Sequence, residues 1–301
     1  MTKINMFKSI KSKFNNDADE KSALMKPEKK PPLGKMFWIS VGWVCLNIFL
    51  AITANLLPLK DPIAQDYNAI SVGPSLHYWL GTDDIGRDIL SRIIFGSRIS
   101  IAVSFGAMLI AFGLGAPTAM LAALRRGRFD NILTTIMYSL LAFPAIIATI
   151  SVLSFWVPRN LVKVIIVIGI ASTPLVYRVI RTASLAVASR DFVTAAKVQG
   201  ATDRRILIKE ILPNIMPILL SFLLIGIASV VAIEGALAFL GLSISPPTPS
   251  WGNMINEART VMSSNPWLVI FPSLALCLFI LSLNFIGDRL RNYFDVAEVK
   301  I

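Results

Sequence analysis

The sequence has few charged residues: Asp, Glu, Lys and Arg make up only 16% of its 301 residues, against about 25% in an ordinary soluble domain. Hydrophobic residues make up 55%, which excludes a largely disordered chain. Only two cysteines occur, Cys45 and Cys277, and both lie in apolar runs. With a single histidine, His77, the sequence predicts buried thiols and neither a disulfide framework nor a dedicated transition-metal site.

Sequence signatures of catalysis are also missing. The chain contains no Gly-x-x-x-x-Gly-Lys-Ser/Thr phosphate loop, no His-Glu-x-x-His zinc helix and no Gly-x-Ser-x-Gly nucleophile turn. We therefore expect no enzyme activity, and no catalytic, cofactor-binding or metal-binding residues in this chain. If ATP drives its function, the ATPase must be another polypeptide.

Long apolar runs are what the sequence does have. A helix that crosses a bilayer needs about 20 apolar residues. Runs of roughly this length occur six times, at 36–57, 99–124, 132–157, 161–177, 215–242 and 267–286. They predict an all-α, polytopic membrane protein with six transmembrane helices.

The basic residues predict the orientation of these helices. With the N-terminus in the cytoplasm, 22 of the 29 Lys and Arg residues fall in cytoplasmic segments and 7 in external ones. This bias follows the positive-inside rule and places both termini in the cytoplasm. The predicted organisation is a Lys-rich cytoplasmic tail (1–35), a first helix with a long external loop (36–98), and a core of five helices (99–301).

The second apolar run carries a small residue at every fourth position. The repeat predicts a helix face that another helix backbone can approach closely, although it does not identify the partner. The residues are Ala107, Ala111, Gly115, Ala119 and Ala123.

The longest predicted cytoplasmic connection, 182–214, has the pattern of two short helices. Asp191 is a good N-cap for the first, and Gly200 fits the position just after its end. Thr202 can cap a second helix, which Pro213 would end. The surrounding surface is basic, with Arg204 among its cations. This form suits docking into a groove on a soluble partner.

The segment 80–98 predicts an amphipathic helix at the outer membrane interface, capped by Thr82 or Asp83. Its polar face would carry Arg87, Asp88 and Arg92. Two interpretations remain open: part of an external gate or receptor-docking surface, or a structural elbow that leads into the second transmembrane helix.

Glu234 is the only carboxylate deep in an apolar run. An unpaired charge there costs roughly 2.5–3.5 kcal/mol or more, so Glu234 should face the bundle interior, a cavity or a partner chain. It could contact a peptide amine, gate a pathway, or make a structural hydrogen bond. The Pro-rich stretch 246–251 predicts a stiff external loop in which Trp251 anchors the chain at the interface.

The pattern in 194–213 resembles the coupling signature of ABC importer permeases. That signature is Glu-Ala-Ala-x-x-x-Gly followed, after nine residues, by Ile-x-Leu-Pro. The chain departs from it at Thr194, where Glu is usual, and at Glu210, where Ile is usual. The residues that fit are Ala195, Ala196, Gly200, Leu212 and Pro213.

Two further stretches resemble the dipeptide/oligopeptide/nickel branch of these permeases. Residues 80–92 are similar to its Leu-Gly-Thr-Asp-x-x-Gly-Arg-Asp-x-x-Ser-Arg element, and 234–252 to its Glu-Gly-Ala-Leu segment with a later Pro-rich loop and Trp-Gly. The resemblance begins near residue 36 and keeps the expected order. The external element contains Gly81, Thr82, Asp83, Gly86, Arg87, Asp88 and Arg92.

The resemblance implies the type I ABC importer permease fold in a bacterial inner membrane and a role as the second permease chain of a peptide importer. It implies four partner chains: a homologous permease chain, two ATPases that bind ATP and Mg, and an extracytoplasmic solute-binding protein. ATPase coupling would fall to Asp191, Thr194, Ala195, Ala196, Gly200, Arg204, Leu212 and Pro213. A nickel or metal–chelator importer of the same branch is an alternative. An ion-coupled secondary transporter would need several membrane carboxylates, and only Glu234 is found.

Overall fold

The computed structural model describes residues 33–298, and side chains within that range up to residue 294. The predicted tail 1–35 therefore lies almost wholly outside the described residues. Every regular secondary-structure element in the described part is helical, and the one β-type feature there is an isolated bridge between Thr82 and Asp88. The helices are α1 (Gly34–Thr53), α2 (Ile89–Arg125), α3 (Gly127–Ala142), α4 (Ala145–Phe155), α5 (Leu161–Ala188), α6 (Asp191–Val198), α7 (Asp203–Ile206), α8 (Leu212–Phe239), α9 (Trp251–Ala258) and α10 (Trp267–Glu298).

Five of the described helical segments are long and apolar enough to cross a membrane: α1, α2, α5, the continuous stretch Asp203–Phe239, and α10. A sixth span is available if α3 and α4 together make one crossing, although they meet at an angle of 78°. The bend has a local cause. Phe143 is extended (ψ 127°), as expected before Pro144, and the helix stops and restarts around that pair. The single straight run predicted at 132–157 is therefore broken.

The small-residue face of α2 packs against α5. All five predicted stripe residues are buried. A Cβ added at Gly115 would lie 3.1 Å from the carbonyl oxygen of Thr173 in α5. One added at Gly169 in α5 would lie 2.9 Å from the carbonyl oxygen of Ala107. The predicted close helix pair is confirmed, and the structure identifies its partner.

The segments that connect the membrane-length helices, with the short helices they contain, form two groups at the two ends of the bundle. One group, the loop end, consists of 54–88, 156–160 and 240–266, and its members touch: Arg159 donates from Nη2 to the Gly241 carbonyl at 2.9 Å. The other group, the basic end, consists of 125–130 and 178–214. There the Arg125 guanidinium pairs with Asp203 at 2.9 Å. Each group contains alternate connections between the apolar runs of the sequence, as expected when successive helices cross the same bundle.

Three expectations about side-chain burial are wrong. Cys45 and Cys277 are exposed on this chain, not buried, because each lies on the outward face of its helix. Trp251 is fully buried instead of anchoring the surface. Its indole N–H donates to the Ile93 carbonyl at 3.1 Å, and its ring meets Phe279 edge-on with centroids 5.5 Å apart.

Candidate functional site

The first candidate site is a helical hairpin at the basic end, formed by α6 and the start of α7. The N-cap of α6 is Arg190, which has extended backbone (φ −78°, ψ 153°) and makes no side-chain capping hydrogen bond. Asp191 is the first residue inside the helix. The predicted N-cap was therefore wrong by one residue. Asp191 instead places a negative charge in the first turn, where the helix dipole favours it.

Gly200 ends α6 as predicted. Its φ is +77°, a left-handed conformation that glycine adopts without cost. The N–H of Ala201 donates to the Ala196 carbonyl and that of Gly200 to the Lys197 carbonyl, both at 3.0 Å. This pair of bonds is a Schellman motif, which satisfies the last carbonyls of the helix and reverses the chain.

Thr202 caps the next helix, since its hydroxyl accepts from the Arg205 N–H at 3.4 Å. That helix does not end at Pro213, as the sequence predicted. It passes through a π-helical turn, Leu207–Ile211, and continues as α8 to Phe239. A π turn shifts the hydrogen bonding by one residue, which accommodates a proline that has no N–H to donate. The hairpin is thus directly continuous with a membrane-length helix.

The hairpin is anchored on one side and open on the other. Val193, Ile206 and Ile211 are fully or almost fully buried and fix it to the bundle. Val198 is 84% exposed, which is unusual for an apolar side chain on a polar end. Of the predicted coupling residues, Ala196 and Leu212 are half-buried, and the exposed ones are Asp191, Thr194, Ala195, Gly200, Arg204 and Pro213.

The second candidate site, at the loop end, is built from the 80–92 element. The predicted helix starting at Thr82 or Asp83 was wrong: 80–88 is a compact turn and α2 begins only at Ile89. Gly81 and Gly86 have φ of +84° and +85°, which prevents a regular helix there. Asp88 is the true cap, since its carboxylate accepts from the Ser91 N–H at 2.8 Å.

Buried hydrogen bonds and close backbone contacts stabilise the 80–88 turn. Thr82 is completely buried; its hydroxyl donates to the Ala69 carbonyl and accepts from the Val72 N–H at 2.9 Å. A Cβ on Gly81 would lie 2.6 Å from the Val72 carbonyl oxygen, and one on Gly86 would meet the Asp66 carbonyl. Both glycines are therefore required by close backbone contact as well as by φ.

A four-residue charge cluster joins this turn to α9. The Arg87 guanidinium contacts Asp83 at 2.6 Å and Glu257 of α9 at 2.6 Å. Arg92, which is 1% exposed, contacts the same Glu257 carboxylate at 2.7 Å. Two cations thus share two carboxylates, which brings the predicted residues Asp83, Arg87 and Arg92 together. Sequence reasoning missed Glu257, although it is the only carboxylate in 243–266.

An aromatic–carboxylate pair lies in the same long loop. The Tyr78 hydroxyl donates to Asp66 at 2.7 Å. This bond lowers the pKa of Asp66, with help from the Asn68 backbone N–H, and it raises the pKa of Tyr78. The pair stabilises the loop when Asp66 is ionised, so its contribution is lost as the pH falls through the lowered pKa of the carboxyl.

Glu234 has no exposed surface. Its carboxylate accepts hydroxyl hydrogen bonds from Ser243 at 2.8 Å, Ser250 at 3.1 Å and Ser100 at 3.1 Å. These three hydroxyls join α8 to the 240–250 loop and to α2. The geometry agrees with the structural hydrogen-bond interpretation, and it leaves no carboxylate surface for a substrate. The serines were not identified from the sequence, because their spacing from Glu234 carries no signal.

A partly buried ion pair, which the sequence analysis also missed, holds the broken helix pair to α5 at the basic end. Arg181 of α5 donates from Nε and Nη2 to the two oxygens of Asp130 in α3, at 2.7 and 2.6 Å. Thr134 extends the network, since its hydroxyl lies 3.1 Å from Asp130 and 2.9 Å from the Tyr177 hydroxyl. The described residues hold no group of three or more His, Cys, Asp or Glu side chains arranged for a metal.

Comparison with known proteins identifies the family. Residues 115–297 match the family described as binding-protein-dependent transport system inner membrane component. The chain belongs to this family.

Two relatives align with most of this permease. The glutathione transport system permease protein GsiD of Pectobacterium atrosepticum is 36% identical over 254 residues, which cover 84% of each chain. The dipeptide transport system permease protein DppC of Alkalihalophilus pseudofirmus is 34% identical over 257 residues, covering 85% of this chain and 84% of the relative. The permease is therefore a multi-pass inner-membrane protein and the translocation subunit of an ABC importer.

Solved structures share the fold. The MetNI methionine ABC transporter, in an inward-facing conformation, superposes with a TM-score of 0.58 at 18% identity. The match covers 68% of this chain and 96% of that one. The predicted type I ABC importer permease fold is confirmed.

Proposed function

We propose that this permease imports peptides, with one homologous permease chain completing the pathway, two separate ATPase subunits supplying the work and an external solute-binding protein delivering the substrate. The substrate class is taken from the relatives, whose names specify glutathione and dipeptide transport. ATP and Mg would bind in the ATPases, since this chain carries no phosphate-binding loop of the Walker type.

The observation that carries the proposal is the hairpin at the basic end. Its helix α6 is exposed along Thr194 and Ala195, while Val193 beneath it is fully buried. The second arm, α7, continues without a break into α8, which is long enough to cross the membrane. A push on α6 would therefore reach a membrane helix through packed side chains, which is the physical requirement for coupling.

The positive-inside bias supports a cytoplasmic position for this hairpin, where ATPases lie, and an external position for the 80–92 turn, where a solute-binding protein arrives. In this orientation the charge cluster around Arg87 and Arg92 stabilises the conformation of an external gate or a receptor-docking surface. The region 1–35 would be the cytoplasmic tail, 36–98 the first helix and external loop, and 99–301 the core.

The broken pair α3–α4 supports a shared pathway. Within 131–157 only Thr149 and Leu153 are buried, so the described residues leave most of this apolar segment uncovered. A second permease covering it would complete a pathway between the two chains. Glu234 is too enclosed in this structure to contact a passing peptide.

Gly200 offers a sharp test of coupling. A Cβ there would meet nothing within 4 Å, so substitution changes the backbone preference and creates no clash inside the chain. Gly200→Val should disfavour the left-handed turn by about 1–2 kcal/mol, whereas Gly200→Asn tolerates it. We expect Val to reduce both ATPase co-purification and ATP-dependent uptake of a dipeptide or glutathione into proteoliposomes, and Asn to retain most of both.

The matched control is the total amount of folded permease in the membrane, which should be equal for the two variants. Normal ATPase recovery and uptake in Gly200→Val would refute coupling through this hairpin. If uptake of peptides is absent in the wild type while a nickel–chelator complex is transported, the substrate class is wrong and the coupling result still stands.

A further inference from the structure

Two adjoining cavities lie between α1 and α2 at the loop end. The first has a volume of ≈ 630 Å³ and is lined by residues of 54–63, the α2 stretch 95–99, and Thr248 with Pro249. The second, of ≈ 330 Å³, is an almost entirely apolar groove along the two helices, with Ile48 and Ile52 on one side and Ile101, Ala102 and Phe105 on the other. Arg98 lines both cavities.

Arg98 is a cation without a carboxylate partner within ion-pair distance among the described residues. Its Nε donates to the Ala51 carbonyl at 2.8 Å, and its Nη1 reaches the Asn55 side-chain oxygen at 3.4 Å. Its guanidinium also lies over the Phe95 ring, 5.5 Å from the centroid. These contacts fix the direction of the side chain and leave its charge uncompensated.

The position of Arg98 matches the depth of a lipid phosphate. Helix α1 has 20 residues, about 30 Å at 1.5 Å per residue, which is about the thickness of the hydrocarbon core. Arg98 bonds to the last turn of α1, so it stands where that helix reaches the membrane surface. The apolar groove runs from Arg98 toward the membrane interior.

A second cation lines the larger cavity. The Lys60 ammonium lies 3.3 Å from the centroid of the Tyr78 ring, and no carboxylate in the described chain is within ion-pair distance of it. Asp61 is the one acidic residue in the lining, and one of its oxygens accepts from the Ile63 N–H at 2.9 Å. The lining therefore carries two positive charges and one negative charge.

We propose that this composite cavity binds one anionic glycerophospholipid. The phosphate lies against Arg98 and Lys60, and one acyl chain occupies the groove between Ile52 and Phe105. Charge complementarity selects the head group, because charge-assisted bonds from guanidinium to phosphate are strong and geometrically specific. The continuity of a cavity that carries two cations with an apolar groove selects a lipid over a free anion. The site would fasten α1, which has few buried residues, to the bundle.

The test counts bound lipids on the full chain, purified with its accompanying subunits, stripped of lipid and titrated with phosphatidylglycerol or phosphatidylcholine under native mass spectrometry. We expect one phosphatidylglycerol per permease, bound at least about tenfold more tightly than phosphatidylcholine. Arg98→Gln should weaken its binding by about tenfold. Arg259→Gln, at an exposed cation of the same end outside both cavities, should leave binding unchanged.

Arg98 also holds the end of α1, so a second variant separates lipid binding from folding. Ala102→Phe fills the groove and leaves Arg98 intact; it should lose the lipid as well, with an unchanged elution volume. Equal phosphatidylglycerol binding by the wild type and both variants would overturn the proposal. So would displacement of the lipid by millimolar inorganic phosphate, or a lipid-free site in the assembled complex, which would mean that a partner subunit covers the groove.

Discussion

At the scale of single residues, the buried polar groups are the features that the structure explains best. Glu234 is acceptable in an apolar helix because three hydroxyls converge on it from two other segments. Such a site is sensitive to substitution, since removing Glu234 leaves three buried hydroxyl groups without the acceptor for their protons.

Glu234→Leu should lower the free energy of unfolding in detergent by about 2–3 kcal/mol, because Ser100, Ser243 and Ser250 lose their acceptor. Glu234→Gln keeps one acceptor oxygen and should cost about 1 kcal/mol. Unfolding monitored by circular dichroism measures both, with Asp203→Asn, in an exposed ion pair, as a control of about 0–1 kcal/mol. A Leu variant as stable as the Gln variant would contradict the structural role.

The charge cluster predicts that two substitutions made together destabilise the permease less than the sum of their separate effects. Glu257→Gln should destabilise the loop end by about 2–3 kcal/mol, because Arg92 stays buried and keeps only a distant carboxylate, Asp83, 3.7 Å away. Arg92→Met combined with Glu257→Gln should cost less than the sum of the single changes, since the second change removes the charge that the first leaves unpaired. Additive effects in a thermodynamic cycle would show that Arg92 and Glu257 are not coupled.

At the scale of helices and turns, the repeat of small residues sets how close α2 and α5 can come. Gly115 and Gly113 are two positions apart in α2, but Gly115 is buried against α5 while Gly113 faces open space. The two glycines therefore make a matched pair for testing the contact.

Gly115→Leu should destabilise the permease by about 1–3 kcal/mol or prevent folding, because the side chain would enter the backbone of α5. Gly113→Leu should be neutral or stabilising by about 0.5–1 kcal/mol, because leucine favours the helix. Thermal aggregation of the purified variants measures both effects. Equal loss in the two variants would mean that helix geometry, not contact with α5, is responsible.

The helices and turns also show which features could be predicted from the sequence and which could not. Hydrophobic runs predicted the membrane helices, and the period of four predicted the buried face of α2, because both depend on residues close in sequence. The position of Glu257 beside Arg87 could not be predicted, since 170 residues separate the two and only the fold joins them. The amphipathic helix expected in 80–98 failed at its start because Gly81 and Gly86 take left-handed conformations.

At the scale of the whole molecule, the chain leaves much apolar surface uncovered. Side chains such as Ile52, Leu109 and Phe155 are more than 70% exposed. In water such a surface would drive aggregation, and in a membrane it faces lipid or a partner chain. The two groups of loops at opposite ends then face different compartments, and the proposed assembly depends on which end is cytoplasmic.

Orientation can be measured with single cysteines. After Cys45 and Cys277 are replaced by serine, Lys197→Cys marks the basic end and Gln65→Cys the loop end; both positions are exposed. In intact spheroplasts that express the permease without its ATPases, a membrane-impermeant maleimide should label position 65 and spare position 197, and permeabilised cells should label both equally. The charge bias requires this order because basic loops stay in the cytoplasm. The reverse pattern would put the α6 hairpin out of reach of any cytoplasmic ATPase, and coupling through it would be impossible.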